Sequence, residues 1–345
     1  LTDIKKHIVF ITPGFAANEA DDTTISALQI YCKKLQERED INVSIVTLHF
    51  PFTKTHYNWY KSTVYPLGFN NKKLSVLSNR KVLKVLNAIH KQQPIDVLHS
   101  FWLGECAFIG HRFSNKHRIN NLTTLMGQDA KKGNYYTRIL PLKKMKFVTL
   151  SKFHQRLFLN NYSGSSTLIP WGVDEKSTST MLEKSIDIIG IGSLISLKKY
   201  TDFIDTIYLL KKRNPTINAT LIGEGKLKPQ LLKQIHKLEL STTITLKGLL
   251  SYSETQQLLA SAKILLHPSN YESFGMVFAE AMAKNVFIVS RKVGMAKNYS
   301  FWKTGDSVNE FFEGCQGFLE QDSPNISSYP TIDTTLKEYL KLYGF

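Results

Sequence analysis

His267-Pro268-Ser269-Asn270-Tyr271-Glu272-Ser273-Phe274-Gly275-Met276-Val277-Phe278-Ala279-Glu280-Ala281-Met282-Ala283 is the stretch on which the reading of this chain turns. It follows Ile264-Leu265-Leu266, an apolar run that reads as a strand, which Pro268 and Ser269 bring to an end. From Gly275 onward Met276, Val277 and the alanines predict a buried helix. The first amides of such a helix have no intrahelical partner, and an anion can sit on them. Gly275 lets the backbone come close to a ligand, having no side chain in the way. Glu272 lies in the loop before the helix and Glu280 more than a turn inside it. Helical side chains lean toward the N-terminus, so Glu280 points back at the same place. A carboxylate is a bidentate acceptor for vicinal hydroxyls. A diphosphate seat flanked by two hydroxyl-binding carboxylates fits a nucleotide sugar. The plainer alternative makes Glu272 a charge that favours the helix dipole and Glu280 a solvated surface residue.

Outward from this segment the pattern is apolar strand, loop, amphipathic helix, repeated. Strands are predicted at 7–12, 43–48, 96–100, 122–126, 146–150 and 167–170, then at 187–192, 218–222, 243–247, 263–267 and 286–290. Helical periodicity falls at 23–38, 74–90, 200–212, 227–238 and 276–283. Short β-branched runs without strict alternation are strands covered on both faces, so parallel sheets with helices on each side are expected. The pattern restarts near 185, after Pro170-Trp171-Gly172-Val173-Asp174 and a polar run. We therefore expect an α/β chain of two Rossmann-like domains, 1–174 and 175–325, facing across a cleft. A last helix within 326–345 is expected to return to the first domain. Ligands of parallel sheets bind beyond the strand carboxyl ends, so the loops that follow strands are where chemistry is sought.

At 345 residues the chain is long for one core and comfortable for two. Three scattered cysteines, Cys32, Cys106 and Cys315, describe neither a disulfide framework nor a zinc site and fit a reducing compartment. No apolar run approaches a spanning helix, and the start of the chain lacks an export pattern, which predicts a cytoplasmic protein. The formal net charge is +16. Residues 1–174 hold 24 Lys and Arg against 11 Asp and Glu, so nearly all the excess sits in the first half. Such a half attracts anionic lipid or a phosphorylated acceptor. No nucleic-acid recognition motif accompanies the charge, and no nucleic-acid partner is expected.

The quoted segment resembles the donor site of the retaining glycosyltransferase family 4, whose fold is GT-B. The likeness runs more thinly over most of the chain. Ile191-Gly192-Ser193-Leu194-Ile195-Ser196-Leu197-Lys198 resembles that family's Gly-Arg-Leu-x-x-x-Lys, Leu221-Ile222-Gly223-Glu224-Gly225 its Gly-Asp/Glu-Gly turn, and Lys247-Gly248 the next strand end. Asp96-Val97-Leu98-His99 resembles its Asp-Val-x-His strand, and Ile169-Pro170-Trp171-Gly172-Val173-Asp174 the Ile-Pro-Asn-Gly-Val-Asp closing its first domain. The resemblance implies that Lys198 neutralises the donor diphosphate and that Glu272 binds the donor sugar's hydroxyls. It implies Glu280 on the ribose, with Ser273 and the backbone at Phe274, Gly275, Met276 and Val277 on phosphate or sugar oxygens. Gly192, Ser193, Gly223 and Gly248 would line the same site, and Gly14 would let the first loop of the chain approach the diphosphate.

The sequence departs from the family pattern in two places. Ser193 stands where a phosphate-binding Arg is common, which removes a forked cation. Met126-Gly127-Gln128-Asp129 stands where His-Gly-x-Asp is common, and methionine donates no polar hydrogen bond. Asp129 then either binds a hydroxyl or satisfies its own turn, and His99 is either a polar cleft contact or structural. In the retaining mechanism that the resemblance implies, the leaving phosphate takes the acceptor's proton, so the protein's work is positioning and charge stabilisation. Nothing resembles an Asp-x-Asp metal site, and neither a divalent cation nor another cofactor is expected. The expected donor is a UDP- or GDP-sugar and the acceptor a glycan or lipid-linked molecule. Rival readings are a nucleotide-sugar epimerase of the same fold and a silent nucleotide-sugar-binding protein. Two basic amphipathic stretches add an anionic membrane surface as a candidate partner at the inner face of the membrane. In the first, Leu74, Leu77, Val82, Val85, Leu86 and Ile89 lie among Lys72, Lys73, Arg80, Lys81, Lys84 and Lys91. The second interleaves Lys131, Lys132, Lys143, Lys144 and Lys146 with Tyr135, Tyr136, Leu140, Leu142 and Phe147. Core helices with solvated lysines are the alternative.

Overall fold

The computed structural model describes residues 5–70, 76–174 and 182–345. Two units emerge, one from the chain up to Trp171 together with Ile332–Phe345, the other from Gly172–Thr331. Lys72, Lys73, Leu74 and the polar run after Asp174 up to residue 181 lie outside the described residues.

In the first unit, strands are β1 (Lys6–Gly14), β2 (Ile41–Phe50), β3 (Tyr57–Trp59), β4 (Ser62–Pro66), β5 (Val97–Phe101), β6 (Asn120–Thr124), β7 (Lys146–Thr149) and β8 (Thr167–Leu168). Helices are α1 (Ser26–Leu35), α2 (Val76–Gln92), α3 (Glu105–His117), the short α4 (Tyr136–Ile139) and α5 (Lys152–Tyr162). The sheet order is β3-β4-β2-β1-β5-β6-β7-β8, parallel except for the β3–β4 hairpin. Ile8, Val9, Phe10 and Ile11 of β1 are fully buried in succession, as a central strand covered on both faces requires. The α2 residues Val82, Leu86 and Ile89 pack into this core with Val9 and Ile11. The apolar stripe expected to meet a membrane is therefore mostly core, with Leu77 left exposed among Arg80, Lys81 and Lys84. In the second basic stretch Leu140 and Phe147 are core, whereas Tyr135 and Ile139 are exposed.

The second unit continues with β9 (Ile186–Ile191), α6 (Tyr200–Arg213), β10 (Ala219–Ile222), α7 (Lys228–Lys237), β11 (Ile244–Gly248), α8 (Tyr252–Ala260), β12 (Ala262–His267), α9 (Met276–Ala283), β13 (Phe287–Ser290), β14 (Trp302–Thr304) and α10 (Val308–Leu319). Its sheet is parallel in the order β11-β10-β9-β12-β13-β14. One side packs α6, α7 and α10 through Phe203, Ile207, Leu231 and Phe311, the other α9 through Phe278 and Met282.

Helix α11 (Ile332–Tyr343) belongs to the first unit. Tyr339 and Tyr343 are buried, and the Tyr343 hydroxyl lies 2.8 Å from those of Tyr31 and from His99 Nδ1. Lys34 of α1 pairs with Asp333 at 2.8 Å.

Candidate functional site

The second sheet has a topological switch point. From β9 the chain winds outward through β10 and β11, then returns beside β9 as β12 and winds outward the other way. Connections diverge there and leave a crevice at the strand carboxyl ends. The loops flanking it are 192–199, after β9, and 268–275, after β12.

The first loop is held by a ladder of amides across three neighbouring strand ends. Gly192 donates to Ile222 O at 3.0 Å, Gly223 to Gly248 O at 2.8 Å, and Leu194 to Glu224 O at 2.8 Å. The contact is backbone on backbone: a Cβ at Gly223 would lie 2.0 Å from the Gly192 carbonyl oxygen. Ser193 is exposed in the tight turn that follows and accepts the Ile195 amide at 2.9 Å. A 3-10 turn, Ser196–Lys198, then carries Lys198, and the Asn270 amide donates to Leu197 O at 2.9 Å, fastening this loop to the second one. Arg291 braces the second loop, donating from Nε to Pro268 O at 3.0 Å and from Nη2 to Asp202 at 2.7 Å.

Lys198 and Glu272 meet at the centre, Nζ to Oε1 at 2.5 Å, and His267 Nε2 lies 2.8 Å from the same oxygen. Burial holds the His267 imidazole below its usual range, so the ring is neutral at pH 7. A carboxylate only accepts, so the Nε2–H tautomer faces it, and the Nδ1 lone pair is left buried without a partner among the described residues. Burial alone would raise the Glu272 carboxyl. The His267 hydrogen bond and the Lys198 ammonium reverse that and hold it at about 2. Glu272 is thus ionised at neutral pH in a largely desolvated position.

Beside this trio α9 begins. Gly275 has φ 85°, and a Cβ there would lie 2.5 Å from the Phe278 ring. No side chain caps the helix, whose first turn carries no acid. The amides at Met276 and Val277 precede any intrahelical acceptor, and the helix dipole favours negative charge in front of them. Phe274 O accepts the Met295 amide at 2.9 Å, which packs the 292–295 loop against the same turn. Glu280 occupies a different setting. It is 8% exposed, burial raises its carboxyl, and the hydroxyl of Tyr252, the first residue of α8, hydrogen-bonds it. Among the described residues the two carboxylates share no recorded partner.

The first-unit residues singled out in the sequence behave differently. His99 is fully buried, with Nε2 on the Thr124 hydroxyl and Nδ1 on the Tyr343 hydroxyl, both at 2.8 Å. Desolvation holds its pKa well below the usual value. With both ring nitrogens engaged inside the core, the geometry favours the structural reading of His99 over a catalytic or cleft contact. Asp129 accepts the amides of Leu103 at 2.8 Å, Met126 at 3.3 Å and Gly127 at 2.7 Å. The carboxylate ties its own loop to the turn after β5, the structural alternative for this residue. Gly14 ends β1 opposite Phe50, its Cα facing the Phe50 side chain.

Residues 174–300 match the family described as glycosyl transferases group 1. An uncharacterized glycosyltransferase of Methanocaldococcus jannaschii is 26% identical over 312 residues, covering 87% of this chain and 82% of that protein. The fold is GT-B, two parallel α/β sheets as in solved glycosyltransferases. Among solved structures, a glycosyltransferase of Rickettsia africae superposes with TM-score 0.74 at 15% identity over 98% of each chain. Anabaena HepE, in complex with UDP and glucose, does so with TM-score 0.73 at 16% identity over 98% of this chain and 99% of that one. The site also holds polar groups to which sequence reasoning gave no role. His267 is the last residue of β12, five before Glu272, and its strand-end position was the available signal. Tyr252 and Arg291 gave none, because their partners are remote in sequence.

Proposed function

We propose that the enzyme moves a hexose-type sugar from a UDP- or GDP-sugar to a hydroxyl of a glycan or lipid-linked acceptor, with retention at the anomeric carbon. The carrying observation is the Lys198–Glu272–His267 trio at the switch point of the second unit, beside the uncapped start of α9. In this reading the pyrophosphate takes the α9 amides and the Lys198 ammonium, while Glu272, still held by His267, accepts hydrogen bonds from sugar hydroxyls. Glu280 with Tyr252 takes the ribose. The bond from the anomeric carbon to the phosphate oxygen breaks as the acceptor oxygen bonds on the same face, and the acceptor's proton passes to the departing phosphate. UDP and glucose bound to HepE, a protein of the same fold, favour a uridine donor.

Thermal shift with UDP-, GDP- and ADP-sugars identifies the donor, since a ligand of the native state raises Tm. With the stabilising donor, Glu272→Ala and Lys198→Ala are each expected to lower kcat/KM by about 10²–10³, the scale for losing one charge-stabilising group. Unchanged turnover in either variant overturns this assignment. Donor converted to its epimer with no acceptor present would favour an isomerase instead.

A further inference from the structure

Tyr200 is the first residue of α6 and follows the loop that carries Lys198. Its ring belongs to the core of the second unit, edge-on to Phe203 at 6.2 Å between centroids, and the residue is 1% exposed. The hydroxyl is in a different position. Among the described residues that buried oxygen has no hydrogen-bond partner. A polar group shut away from water without a partner costs stability, so its presence calls for an explanation.

The surroundings supply one. A Cβ at Gly192 would lie 2.8 Å from the Tyr200 hydroxyl and 3.6 Å from Lys198 Cε, so the phenol tip and the lysine stem converge on the bare face of that glycine. Lys198 runs on to Glu272, whose negative charge reaches Tyr200 and, after burial, helps to raise its phenol. The phenol thus lies in the field of a carboxylate whose hydrogen bonds come from Lys198 and His267, both on the same oxygen. In the donor reading Lys198 also has to meet a pyrophosphate, and Ser193 brings no second cation to that loop. A diphosphate carries more negative charge than one carboxylate and draws the ammonium toward itself. Glu272 then loses a donor in the complex where it has to stay ionised and fixed.

We propose that Tyr200 is a positioning residue for the donor: when Lys198 turns to the pyrophosphate, the Tyr200 hydroxyl takes its place on the Glu272 carboxylate. The phenol donates and the carboxylate accepts, while His267 keeps its own hydrogen bond, so Glu272 stays ionised as it holds sugar hydroxyls. Gly192 leaves the hydroxyl the space that a side chain would fill. The trigger of this exchange rests on the transferase reading; the contest of Lys198 and Tyr200 for one carboxylate does not.

Tyr200→Phe deletes one oxygen and keeps the ring. In the empty protein no hydrogen bond is lost, so Tm should equal or exceed that of wild type. In a Lys198→Met background the ammonium is gone, the phenol is free to bond Glu272, and the same substitution should lower Tm. With the stabilising nucleotide sugar, Tyr200→Phe should raise the half-saturating concentration about tenfold or more, the scale of a hydrogen bond to a charged group. Hydrolysis of that donor by water, which needs no acceptor, reads the pH profile. The acid limb of kcat, set by the loaded enzyme, should move to higher pH because Glu272 has lost a donor there. The limb of kcat/KM, set by the empty enzyme, should stay in place. A lower Tm for Tyr200→Phe in the wild-type background, an equal effect on Tm in both backgrounds, or an unmoved kcat limb overturns the proposal. If no nucleotide sugar stabilises the wild-type chain while the effect on Tm still depends on Lys198, the transferase reading fails and the exchange of partners stands.

Discussion

A carboxylate as buried as that of Glu272 stays ionised because two donors reach the same oxygen. His267→Phe removes one of them and leaves burial opposed by Lys198 alone, so the carboxyl must rise from about 2. The acid limb of kcat/KM against pH should then move to higher pH in His267→Phe and return part of the way in His267→Asn, whose amide can donate. An unmoved limb would remove His267 from the account. Stability follows the same sign: a depressed carboxyl stabilises the fold above its unfolded pKa, and that contribution disappears as pH falls from the ordinary carboxylate range toward 2. At this scale the sequence names residue types and cannot say how their hydrogen bonds are spent. Glu272 and His99 both looked available; Glu272 has donors gathered around it, whereas His99 has both nitrogens used inside a core.

Elements position this chemistry through loops that touch backbone to backbone. The Gly192, Gly223 and Gly248 strand ends interlock so closely that a methyl at Gly223 has only the Gly192 carbonyl oxygen to move into. Gly223→Ala should therefore cost on the order of 2 kcal/mol, through both the clash and a backbone conformation unfavourable to alanine. It should also blunt the Tm rise with donor, because the loop carrying Lys198 follows directly. A scanning-calorimetry trace identical to wild type, with and without donor, would count against this packing. The strands legible in the sequence are the fully covered ones, such as β1 and β9, whose apolar runs follow from burial on both faces. The β3–β4 hairpin was not legible. Its two-residue turn is Tyr60-Lys61, with φ 50° at Tyr60, and holds none of the Gly or Asn residues by which such turns are recognised.

On the scale of the whole molecule, charge is distributed unevenly along the chain, and among the described residues no helix is long and apolar enough to cross a membrane. Since Val82, Leu86 and Ile89 of α2 are spent on the core, attraction of the first half to anionic lipid would be electrostatic, with a few exposed groups such as Leu77, Tyr135 and Ile139 beside the lysines. Cosedimentation with phosphatidylserine-containing vesicles at low salt, abolished at about 0.5 M salt, is the expected outcome. Equal sedimentation with neutral vesicles would sink it. What the sequence determined by itself is the α/β class, the doubled strand–helix pattern and the strand–turn–helix with its Glu272–Gly275 core, because burial periodicity and turn chemistry are local properties of the chain. Only the tertiary structure decided which polar groups meet: His267 and Lys198 on Glu272, Tyr252 on Glu280, Asp129 on its own loop, His49 and Tyr136 on Glu105. Those pairings join residues up to 74 positions apart, and a hydrogen bond depends on distance in space, which no local pattern of residues records.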